Sequence, residues 1–92
     1  MVSVLVYNTV TKENEDAFLR LSLLHKQASL ENDAGCRLFE VCAPKDGCVV
    51  FIELWDSQEA LSAHAKASKQ REHLSQMDAL REAKRIEVWK VL

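Results

Sequence analysis

The chain has only two glycines, Gly35 and Gly47, and a single proline, Pro44. So few glycines exclude a glycine-rich phosphate loop and the spaced glycines of a Rossmann nucleotide site, so neither flavin nor nicotinamide binding of that kind is expected. Metal-ligand spacing is missing too. His25, His64 and His73 are not grouped with carboxylates, and Cys36, Cys42 and Cys48 are odd in number and match no zinc pattern. The expectation is a chain with no cofactor and no metal, whose reduced thiols serve as small apolar residues. No apolar run reaches the length of a membrane span, and MVSVLVYNTVTKENED opens without the basic stretch of a signal sequence. A cytoplasmic location and no membrane contact follow as expectations. Lysines and arginines gather toward the C-terminal part, but acids are interleaved and the formal net charge is -2, which gives nucleic acid no general hold.

What is present suits a folded globule. The 92 residues are 48% hydrophobic and 28% charged, enough to enclose one core and too few to divide into two, so residues 1–92 read as a single domain. A domain of this size leaves much apolar surface uncovered, and a second subunit would cover it.

The segment VSVLVYNTV at 2–10 alternates, with Val2, Val4, Val6 and Val10 on one face and Leu5 and Tyr7 on the other, and reads as a strand covered on both sides. Asn14 is in position to cap a long helix with Glu15 and Asp16 in its first turn. Its expected apolar stripe is Ala17, Leu21, Leu24 and Ala28, with Phe18 and His25 beside it, and Gly35 suits its end. CRLFEVCA at 36–43, a turn at Pro44-Lys45-Asp46-Gly47 and CVVFIELW at 48–55 form a hairpin. Asp56 and Glu59 have capping-box spacing before a second helix through Ala60, Leu61, His64 and Ala65. The pattern breaks at Ala67-Ser68-Lys69, resumes through Leu74, Met77 and Leu80, and the chain closes on the alternating strand RIEVWKVL. The order β-α-β-β-α-(α)-β is the α+β, ferredoxin-like arrangement: a four-stranded antiparallel sheet with helices on one face.

The stretch FIELWDSQEALSAHAKAS at 51–68 resembles the antibiotic biosynthesis monooxygenase family through Glu53, Trp55 and the Glu59-Ala60-Leu61-x-x-His64 run, and GCRLFEV at 35–41, with Phe39, is similar to that family's second strand. Two family features are absent, a Pro-Gly pair where Lys12-Glu13 stands and a Pro-His-Phe piece where Ser68-Lys69-Gln70 stands. The resemblance implies a homodimer of the dimeric α/β barrel type, packed through the open sheet faces, with one cavity per subunit for a small-molecule substrate. It also implies a range of activities: cofactor-independent monooxygenation of quinol-type compounds, haem degradation, isomerisation of a phosphorylated signalling sugar, or none.

The candidate catalytic residues are His64, His25 and Glu53. His64 lies on the apolar stripe of its helix, either as a neutral core histidine or as a cavity base acting near neutral pH. His25 faces the sheet from the first helix, as a boundary residue or as a second cavity group. Glu53 shares a strand face with Phe51 and Trp55; it is either paired with an arginine such as Arg37 or Arg85, or desolvated and raised in pKa. Asn8, Trp55 and Phe39 are the expected substrate contacts, with strand capping and core packing as their plain alternatives. Three functions are carried forward: a monooxygenase of hydroxylated aromatics, a phosphosugar isomerase, and a non-catalytic dimeric binding or stress-response module. Haem degradation is the weakest match, since His73 is poorly aligned for it.

Overall fold

A computed structural model describes all of residues 1–92. The elements run β1 (Val2–Val10), α1 (Lys12–Asn32), β2 (Cys36–Lys45), β3 (Cys48–Trp55), α2 (Gln58–Ser68), α3 (Glu72–Leu80) and β4 (Arg81–Lys90). The four strands form one antiparallel sheet in the order β2-β3-β1-β4. No helix is long and apolar enough to cross a membrane. The ferredoxin-like order expected from hydrophobic periodicity is therefore the observed one.

Register explains which side chains meet beneath the helices. Val4 lies opposite Glu53, Val6 opposite Phe51 and Asn8 opposite Val49, while Phe39 on β2 flanks Glu53 from the other side. Because side chains alternate along a strand, this single register gathers Val4, Val6, Val49, Phe51 and Trp55 on the helix side. Val10 and Phe39 from the sheet, Phe18 of α1 and Met77 of α3 complete the core, and Phe18 stacks on Phe51 with ring centroids 6.4 Å apart. The opposite face carries Leu5, Tyr7, Ile52, Leu54 and the exposed Trp89.

Helix α1 departs from its expected stripe. The buried line is Phe18, Ser22, His25 and Ser29, whereas Leu23, Leu24 and Leu30 are exposed. The two serines turn their hydroxyls back to the carbonyls of Phe18 and His25, each at 2.7 Å, so their donors are satisfied within the helix. Small side chains without an open polar demand let the helix approach closely, and the bulky leucines of the neighbouring line are turned outward.

Three boundaries also differ. Thr11, not Asn14, occupies the α1 N-cap, and the Asn14 amide instead donates to the Leu80 carbonyl at 3.3 Å. Ser57 rather than Asp56 caps α2, accepting from the Ala60 amide at 3.1 Å, while Asp56 pairs with Arg37. β4 begins at Arg81, directly after α3 and earlier than the alternation of its apolar residues shows.

Gly35 joins the end of α1 to the hairpin with φ of +86°, and a Cβ there would stand 2.8 Å from the Ala60 Cβ on α2. The left-handed backbone and the close approach both require glycine. Gly35→Ala should lower unfolding free energy by at least about 1–2 kcal/mol from backbone strain alone, measured by urea denaturation; an unchanged midpoint would show that the turn relaxes freely.

Candidate functional site

The helices do not cover the sheet evenly. Over β4 the helix-side residues Ile86 and Val88 remain 50% and 46% exposed, and between them and α2–α3 lies an open cavity of about 350 Å³. Its floor is Val4, Val6, Phe51 and Glu53, and Leu61, Leu74 and Met77 form an apolar wall. That size and lining suit a small organic ligand. His25, Glu53 and His64 all border it, as do Lys69, Arg81 and Lys84.

His64 is placed by α2 and held from behind. Its Nδ1 lies 2.6 Å from Oδ2 of Asp33, the residue that ends α1, and its ring sits 4.4 Å from the Trp55 ring. Arg71, at the start of α3, donates to both oxygens of Asp33 at 3.0 and 2.6 Å. Burial alone would raise the Asp33 pKa, but the hydrogen bonds from Arg71 and His64 together bring it below the usual carboxylate value. Asp33 therefore accepts, and His64 Nδ1 donates. Burial lowers the His64 pKa against the pull of Asp33, so the resting ring is neutral. Nδ1 is the only His64 nitrogen with a protein partner, and no buried side-chain nitrogen or oxygen is left without one, so Nε2 is free and unsealed on a residue that borders this cavity and a smaller hollow beside Asp33.

His25 stands beside it, ring centroids 5.3 Å apart. It packs edge-on against Phe39 at 5.3 Å, and its Nδ1 is 3.0 Å from Nε2 of His73. Burial first, then the neighbouring His64, His73 and Arg71, depress its pKa to about 3. Glu53 is only 3% exposed. Its Oε1 accepts from the Trp55 indole at 2.9 Å, yet burial outweighs that bond and pushes its pKa up to about 7. Its ion-pair alternative with Arg37 or Arg85 is not formed: Arg37 bonds Asp56 and Arg85 bonds Glu87.

The three expected substrate contacts sit elsewhere. Asn8, Phe39 and Trp55 are at most 1% exposed and none borders the cavity. Asn8 donates to the Val49 carbonyl at 3.0 Å and accepts from Arg81 at 2.8 Å, so it fixes an arginine that does border the cavity. Phe39 and Trp55 back the two histidines. Each thus touches a cavity residue rather than the cavity.

Asp33 and Arg71 escaped sequence reasoning. The available signal was electrostatic: a carboxylate at a helix C-terminus opposes the helix dipole, and the last turn of α1 holds no basic residue to offset it. Such an acid requires a cation from elsewhere in the fold.

Comparison with known proteins agrees with this architecture. The profile of the family described as antibiotic biosynthesis monooxygenase matches residues 1–83. Among solved structures, an antibiotic biosynthesis monooxygenase superposes with a TM-score of 0.84 at 19% identity, covering 100% of this chain and 99% of the other. A protein from Deinococcus radiodurans, provisionally assigned as an antibiotic biosynthesis monooxygenase, gives 0.89 at 19% identity over 100% and 93% of the two chains. A conserved protein from Methanosarcina mazei Go1 gives 0.83 at 17% identity over 97% and 90%. No curated protein matches the sequence. With a profile match over most of its length and the same fold in each of these structures, the chain belongs to the antibiotic biosynthesis monooxygenase family.

Proposed function

We propose that this protein is a cofactor-independent monooxygenase of a hydroxylated aromatic, quinol-type small molecule. The observation that carries this reading is His64: a neutral imidazole braced by an ionised Asp33 at 2.6 Å, with its other nitrogen free of protein partners and the residue bordering a largely apolar cavity. That arrangement suits removal of a phenolic proton, because Asp33 fixes the ring tautomer and stabilises the imidazolium that forms. The resulting anion is electron-rich enough to react with dioxygen at a ring carbon. One oxygen atom stays on the ring and the other leaves as water with two hydrogens from the quinol, and the four electrons come from the substrate. Glu53, with a pKa of about 7, has a proton available for the departing oxygen. Trp55, Phe39 and Asn8 act by holding His64, His25 and Arg81 in place.

The open face of the sheet, with Leu5, Tyr7, Ile52, Leu54 and Trp89, is the proposed homodimer surface. A second reading, isomerisation of a small phosphorylated sugar, draws support from Lys69 and Lys84 at the cavity. Binding of inorganic phosphate that protects Lys84 from acylation would favour it.

Oxygen uptake with simple quinols tests the first reading. His64→Ala should slow it by about 10²–10⁴-fold and Asp33→Asn by about 10²-fold; undiminished uptake in His64→Ala removes the assigned base. Sedimentation equilibrium should give twice the 10.5 kDa chain mass, and a monomer at micromolar concentration would remove the proposed interface.

Glu53 and His25 also set a pH dependence. Glu53 is raised from 4.5 to about 7, so its contribution to stability is complete below pH 4.5 and is lost as pH rises through 7. His25 is lowered from 6.5 to about 3, so the unfolded chain takes up that proton first and stability rises with pH between those values. From 4.5 to 6.5 the two slopes oppose each other. Glu53→Gln removes one of them, and its unfolding free energy should climb more steeply than that of the parent chain, gaining on the order of 3 kcal/mol on it between pH 4 and 8. Parallel stability curves would mean that Glu53 titrates normally.

A further inference from the structure

His25 and His64 are neighbours at the cavity, but their inner nitrogens are held by partners of different character. Nδ1 of His64 faces Asp33, which can only accept, so that nitrogen carries the proton and Nε2 is left with a lone pair. Nδ1 of His25 faces Nε2 of His73 at 3.0 Å, and two neutral imidazoles share one proton across that contact. Neutral histidine favours the Nε2–H form. Donation from His73 Nε2–H to His25 Nδ1 is the one arrangement that leaves both rings in it, and it turns Nε2–H of His25 outward. Only Nδ1 of His25 has a protein partner and His25 borders the cavity, so the outer nitrogen is free for a ligand.

We infer that the two histidines form a donor–acceptor pair, His64 Nε2 accepting a proton from the ligand and His25 Nε2–H donating a hydrogen bond to a second ligand oxygen, with His73 as the positioning residue that sets this polarity. The inference rests on the proposed use of the cavity for hydroxylated aromatics and narrows that class. With the two rings side by side, the ligand presents neighbouring oxygens on one edge, an ionisable hydroxyl and an oxygen beside it, as in a catechol or an aromatic ortho-hydroxyketone. The surroundings keep the donor uncharged. The rings of Phe39 and Phe51, on two strands, pack against His25, while His64, His73 and Arg71 disfavour a positive charge there and Asp33 is the single carboxylate opposing them. A neutral imidazole can donate to an oxygen that gains negative charge without first fixing a proton on it.

The test needs no turnover. Ring spectra of the full chain labelled with ¹⁵N-histidine should show His64 as Nδ1–H and His25 as Nε2–H at neutral pH, with His25 still neutral at pH 5. His73→Gln, whose amide can donate to the same nitrogen, should retain the Nε2–H form of His25, and His73→Ala should leave it exchanging between tautomers. Anaerobic catechol should then shift both outer nitrogens, and phenol only that of His64. An Nδ1–H tautomer of His25, a protonated His25 at neutral pH or indifference to His73→Ala overturns the polarity; a catechol shift at one ring alone overturns the ligand class. If these spectra hold and quinols drive no oxygen uptake, the inference stands and the monooxygenase reading falls. Oxygen uptake with the wrong tautomer gives the converse.

Discussion

Asp33 closes a three-way junction. Its carboxylate stands at the end of α1, where the exposed carbonyls already make the local potential negative, and it is stable there because Arg71 from the head of α3 grips both of its oxygens. The same group then has an oxygen directed at His64 on α2. Residues from three helices are thereby joined at one charge. A buried ion pair is weak evidence for stability, since desolvation opposes its attraction, but it is strong in defining geometry. Removing either partner would leave an uncompensated charge next to the histidine, so the packing of this corner and the setting of His64 depend on the same pair.

How far the fold was legible in the sequence follows from the range of the interactions involved. Strand alternation and hairpin turn chemistry are local, and they locate all four strands to within a few residues; only the start of β4 differs, because Arg81, Glu82 and Lys84 are charged residues on an edge strand where apolar alternation is not required. The stripe of α1 was less legible. Periodicity weights leucine over serine, whereas the fold buries Ser22 and Ser29, whose hydroxyls are satisfied by their own helix. Among the residues that border the cavity, His64, His25 and Glu53 stand out in the sequence because each interrupts an apolar face. Asp33 and Arg71 could not, nor could the contact of His73 with His25, because the partners involved lie 31 to 48 positions apart along the chain.

The interior is unusually polar for so small a domain, with Asn8, Ser22, His25, Ser29, Glu53, His64 and Ser68 all buried. None of their sealed atoms lacks a partner. Satisfied networks of this sort restrict the core to one arrangement, since any slip of register or helix rotation strands a donor or an acceptor. The aromatic rings around the histidines then act as insulation: they remove water from one side of each imidazole, which strengthens the contacts that remain.

The uncovered side of β4 separates two tasks that a small domain would otherwise have to combine. Histidines, carboxylates and the aromatic rings behind them stand on α1, α2, α3, β2 and β3, whereas Ile86 and Val88, which shape the far wall, sit on the opposite edge strand and remain half in solvent. Exchanging those two side chains would alter the contour met by a ligand without opening a void in the core or disturbing a buried hydrogen bond. The shape of the cavity can therefore change while the buried histidines and carboxylates stay put, and a shared fold need not mean a shared substrate.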